Sequence, residues 1–199
     1  MKMKNKKTRA AYHEAGHVVA GYLLEGNINK IESADIVRCE GRHGICISES
    51  GRYDRETEGV FEMFGEHENY NELEMSNFGT VDGFRAIFNF VCETLAGGVS
   101  EMLFCGLKKL PRGSMGSDFD TIMEIGIKIM PVSFNKSRLA CYPELDSLIV
   151  TSVHFLKSLL TEHEYLIKNV AEALLERESL SRDAICELLS KPVTIPDIT

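Results

Sequence analysis

Several things are scarce in this chain of 199 residues, and each scarcity removes a class of protein. Cysteines stand at 39, 46, 92, 105, 141 and 186 with no C-x-x-C pair among them. Such scatter excludes a disulfide framework and a structural zinc cluster, and leaves reduced, mostly buried thiols. Cys39 and Cys46 flank a turn, where their closeness is a matter of packing. Basic residues are also short: 22 Lys and Arg against 30 Asp and Glu give a net charge of −8. An acidic surface speaks against nucleic acid or an anionic membrane as a partner. Nor does an apolar run long enough for a signal peptide or membrane span follow the basic start, because His13, Glu14 and His17 interrupt the candidate. The expectation is a soluble, cytoplasmic protein. With 44% hydrophobic residues it can bury a core as a single domain.

What is present centres on Ala11-Tyr12-His13-Glu14-Ala15-Gly16-His17-Val18-Val19, which reads H-E-x-x-H. Two histidines at i and i+4 stand one helical turn apart, about 6 Å along the axis, so both imidazoles reach one metal ion. Glu14 projects roughly 100° round from His13, where it can take a proton from water instead of ligating. Zn²⁺ is the metal this pattern favours. Ala11, Tyr12, Ala15, Val18, Val19, Tyr22 and Leu23 form an apolar stripe for a core, whereas Gly16, Ala20 and Gly21 line the histidine face and let another segment approach. Thr8 is the expected N-cap and Gly26-Asn27 the expected end.

Further along, 30–38 and 44–48 read as strands of a small hairpin, with His43 exposed in its turn. An edge strand there could hold an extended peptide by backbone hydrogen bonds. Residues 51–82 crowd carboxylates into an aperiodic acidic loop, with a lid over the cleft as its functional alternative. Asp82 is the expected cap of an apolar helix from Phe84 to Cys105, which contains Gly97-Gly98. Glu101 in that helix is the anomaly. A buried carboxylate there needs a partner and could orient a ligand histidine from behind; the alternative is a partly exposed Glu near a helix end. Ser117 caps a helix that Pro131 stops, and Asp118 and Asp120 fall in its first turn, where the helix dipole keeps them ionised. Either is a candidate third ligand. Leu145 to Ser190 repeats apolar residues at helical spacing.

Taken in order, AAYHEAGHVVAGYLL at 10–24, LAGGVSEMLFCG at 95–106, GSMGSDFD at 113–120 and LLERESLSRDAICELL at 174–189 resemble the protease domain of the FtsH family of membrane-anchored, ATP-dependent zinc endopeptidases. The resemblance implies Zn²⁺ held by His13, His17 and Asp118, with Glu14 as general base. Asp118 is preferred to Asp120 because a large apolar residue and then an acid follow it. It also implies a mainly α domain with a small β-hairpin or sheet beside the metal helix, spanning 1–199. Within that domain 1–8 is a basic leader, 51–82 the acidic loop and 145–190 the C-terminal helical part. Two departures stand out. No G-x-x-x-x-G-K-[ST] loop is present, which implies a stand-alone domain without the ATPase, and Gly98 stands where family members usually carry Arg. The implied function is hydrolysis of flexible or unfolded polypeptides, with self-association or an ATPase partner. A non-catalytic FtsH-like binding module, or a regulatory partner of an ATP-dependent protease, is the alternative.

Overall fold

A computed structural model describes residues 5–25, 31–36, 45–48, 81–111, 115, 118–123 and 143–190. Among the described residues, five helices and three strands are ordered α1 (Lys6–Glu25), β1 (Ile31–Asp35), β2 (Ile45–Ser48), α2 (Val81–Cys105), α3 (Pro143–Glu162), α4 (Glu164–Arg177), β3 (Ser179–Ser181) and α5 (Arg182–Ser190), with residues 118–123 also helical. The protein is mainly α with a small antiparallel sheet, as the sequence leads one to expect.

The start of α1 differs from the sequence pattern. Asn5 caps it, its Oδ1 accepting the Thr8 N–H at 2.8 Å, because a short amide side chain just before the first turn satisfies an otherwise orphaned donor. Thr8 therefore lies inside the helix, and residues 6–8 of the expected leader are its first turn. Lys7 pairs with Glu178 at the far end of the chain.

One face of α1, carrying Ala11, Tyr12, Ala15, Val18 and Val19, is buried in the core. α1 also packs on α2, whose Val91, Leu95, Ala96 and Val99 are equally buried. The two backbones approach closely: a Cβ at Gly16 would come 2.5 Å from Ala96 O and 2.7 Å from Ser100 Cβ. Ser100 fastens the crossing by donating its hydroxyl to Tyr12 O at 2.6 Å. The helix begins at Val81, so Asp82 is a first-turn residue rather than a cap, and the acidic stretch ends before it. At the other end Gly106, at φ 76°, reverses the chain, and Leu107 N–H returns to Met102 O.

α2 includes a stretch, Ile87–Cys105, that meets a membrane span's length and composition, as a buried core helix also can, and 61% of it is buried inside the protein. Its apolar residues cover almost the whole circumference because α1 and α3 both pack on it. Cys92 is among them, and burial pushes its thiol up to about 11.

From α3, Leu145, Leu156 and Leu160 enter the core; from α4, Leu166, Ile167, Val170 and Leu174 do. The C-terminal part is not continuously helical. After α4 the chain turns at Glu178, held left-handed at φ 65°, whose N–H donates to Leu174 O at 2.8 Å. The next three residues form β3, which joins β1 on the side opposite β2 to give the order β2-β1-β3. Ala34 faces Cys46 on one side and Leu180 on the other. The expected hairpin is thus two-thirds of a three-stranded sheet. Lying outside the described residues are Gly26-Asn27, Cys39, the turn with His43, the acidic residues 51–80, Ser117 and Pro131.

Candidate metal centre

His13 and His17 face α2, not solvent, because the apolar stripe of α1 turns them into the groove that Gly16 opens. Their ring centroids are 4.9 Å apart and their Nε2 atoms 3.2 Å apart. Asp118, at the start of the 118–123 helical stretch, brings Oδ2 to 3.2 Å from His13 Nε2 and 3.8 Å from His17 Nε2. Asp120, two residues on, is exposed.

The partners of the other ring nitrogens decide what these atoms can do. His17 Nδ1 lies 2.8 Å from the Glu93 carbonyl oxygen. A carbonyl can only accept, so Nδ1 carries the proton and Nε2 keeps its lone pair. His13 Nδ1 similarly faces Glu101 Oε2 at 3.5 Å, so its Nε2 lone pair also turns inward. Glu101 is 0% exposed, and its other oxygen pairs with Arg9 of α1. The anomalous carboxylate is therefore fully buried between an arginine and a histidine, and is not a partly exposed helix-end residue.

Lone pairs on two nitrogens and a carboxylate oxygen converging within 4.8 Å repel unless a cation sits among them. In the protein alone that cation is a proton. Burial would lower His13, but Asp118, Glu101 and the charge of Glu14 outweigh it and hold the imidazole up at about 10. His17, buried and beside that charged ring, is pushed down to about 4. Burial would raise Asp118, yet the two imidazoles hold its carboxyl below the ordinary range.

The same geometry suits Zn²⁺, which takes imidazole nitrogen and carboxylate oxygen, and whose catalytic sites use three protein ligands. Among the described residues no fourth His, Cys, Asp or Glu joins the group. Glu14 is buried next to His13. Room at the convergence point comes from Gly97 of α2. A Cβ there would overlap His17 Nε2 and lie 2.7 Å from His13 Nε2.

Of the residues singled out from sequence, the structure thus gathers His13, His17, Glu101 and Asp118 into one place, with Glu14 buried one residue along α1 from His13. Sequence inspection missed Arg9, Gly97 and the Glu93 carbonyl. Arg9 was legible in principle, since it sits at i−4 from His13 on the same helix face.

No family model matches the chain. Over 193 residues, 97% of this chain, it is 24% identical to the ATP-dependent zinc metalloprotease FtsH 2 of Thermoanaerobacter sp. (strain X514), and the match covers 34% of that protein. The chain therefore spans about a third of the length of this curated relative. Nearly end to end, the chain is similar, at a distance, to a protein of the FtsH kind.

Proposed function

We propose that this protein is a zinc-dependent endopeptidase acting on flexible or unfolded polypeptides, with His13, His17 and Asp118 as metal ligands and Glu14 as general base. One observation carries the proposal: two histidine Nε2 atoms and an Asp118 oxygen, contributed by separate parts of the chain, converge within 4.8 Å beside a buried glutamate. The zinc protease to which the chain is similar supports it. When bound, zinc supplies Lewis acidity, polarising a carbonyl and making water a stronger acid.

The chain's own residues supply the remainder. Glu93 O and Glu101 hold the His17 and His13 rings with Nε2 inward, which fixes the tautomers ligation requires. Glu14, one residue along α1 from His13, accepts the proton of the attacking water and passes it to the leaving amine. α1, braced against α2 at Gly16, keeps the two histidines on a rigid element. The substrate is an extended polypeptide, and assembly with further copies or with an ATPase partner belongs to the same proposal.

Replacing Glu14 by Gln tests the chemistry. Shape survives and the base is lost, so zinc content and melting temperature should stay at wild-type values while hydrolysis of an unstructured casein-type substrate falls roughly 10²–10⁴-fold. A wild type that holds zinc yet cleaves nothing would establish a binding module instead, and a variant that cleaves equally well would overturn Glu14 as the base.

A further inference from the structure

The ligands come from two sources, and only one of them is held by a long helix. His13 and His17 ride on α1, whereas Asp118 is the first residue of a short helical stretch beyond α2. Ligation demands that Asp118 be held to within about 0.5 Å, and a side chain three residues earlier is placed to do so. Met115 is 2% exposed. Its N–H donates to Pro111 O at 3.2 Å, and its carbonyl accepts the Phe119 N–H at 2.8 Å, so its main chain is tied to both the end of the α2 segment and the residue after Asp118.

Its side chain occupies the place where Gly98 has none. A Cβ on Gly98 would overlap Met115 Sδ and lie 2.7 Å from Cγ and 3.0 Å from Cε. Consecutive glycines of α2 therefore have separate tasks: Gly97 gives room to the histidine nitrogens and Gly98 receives Met115. An unbranched thioether suits such a socket, since it can follow an irregular surface that a branched side chain would meet badly.

We propose that Met115, seated on Gly98, is a positioning residue that sets where Asp118 stands against the two histidines and thereby sets metal affinity. The proposal rests on Asp118 being a ligand. Pulling the methionine out, or filling its socket, releases the Asp118 end of the site while leaving the α1 histidines in place.

Zinc dissociation constants from competition with a chromophoric chelator, measured on the full chain, test this, with far-UV circular dichroism as the check on folding. Met115→Ala should weaken zinc binding about 10–100-fold, the range for losing a group that orients a ligand. Asp118→Ala should weaken it at least as much, and adding Met115→Ala to it should change nothing more. Gly98→Ala alone should weaken binding, but in Gly98→Ala/Met115→Ala the new methyl meets no thioether and affinity should equal that of Met115→Ala. Gly98→Ala also serves where Met115→Ala folds poorly. Wild-type affinity in both Met115→Ala and Gly98→Ala, or equal weakening by Met115→Ala with and without Asp118, overturns the socket and leaves the ligand assignment standing. Full affinity in Asp118→Ala overturns the ligand assignment, and the socket with it.

Discussion

Replacing Arg9 by Met would remove a cation that pairs with Glu101 while preserving most of the side chain's apolar length. Glu101 sits in α2 with its side chain 1% exposed, pairs through one oxygen with Arg9 and faces His13 Nδ1 with the other. Breaking a buried ion pair from one side typically costs about 3–5 kcal/mol, because the remaining charge loses a partner without regaining water. Here the Arg9 side chain is 26% exposed, so water already screens part of the attraction and about 2–4 kcal/mol is expected. For a domain of this size that lowers Tm by roughly 5–12 °C. Urea unfolding and calorimetry of the metal-free protein at pH 7 measure it. The decisive comparison is Arg9→Met/Glu101→Met, in which neither charge remains; it should recover to within about 1 kcal/mol of wild type, since apolar replacements of a buried pair are commonly neutral. A single variant costing under about 0.5 kcal/mol, or a double variant as unstable as the sum of the singles, would refute the view that Arg9 sustains the buried carboxylate.

Three further outcomes follow from the geometry and charges of the site. Gly97→Ala places a methyl where the two Nε2 atoms converge, so inductively coupled plasma analysis should find zinc lost from a chain that still shows native circular dichroism; stoichiometric zinc would contradict the placement. The metal-free protein should be most stable near pH 6.5. His13, raised to about 10 when folded, contributes fully below its unfolded value of 6.5 and loses that contribution as pH rises toward 10, while His17, lowered to about 4, contributes above 6.5 and loses it as pH falls toward 4. Zinc binding at pH 7 should accordingly release about one proton, from His13, seen as a buffer-dependent enthalpy in titration calorimetry.

How much of this was legible depended on sequence distance. His13, Glu14 and His17 lie within one stretch of α1, so helical periodicity alone puts the imidazoles on one face. Asp118 and Asp120 look alike at a helix start, and only the resemblance to FtsH proteins preferred the first; the structure sets Asp118 against the histidines and leaves Asp120 exposed. Arg9 was hidden because the lysines around it look like a solvated leader, and its partner Glu101 is 92 positions away. β3 went unread because three residues, Ser179 to Ser181, carry too little pattern to be told from a helix cap, and its strand character comes from pairing with β1. Met115 gave no signal, since its meaning lies in the missing side chain of Gly98.

The third strand has a consequence for the order in which this protein comes into being. Arg182, at the start of α5, donates to Ile31 O from 151 positions away, and Lys7 reaches Glu178 across 171. Translation makes α1 well before β3 and Glu178, yet β3 completes the sheet on β1 and Glu178 closes the ion pair on Lys7 of α1. Contacts of such long sequence separation close slowly, so the metal helix spends synthesis without its final support. A nascent chain interrupted before Glu178 would hold both histidines but lack the strand and the ion pair that come later in the sequence.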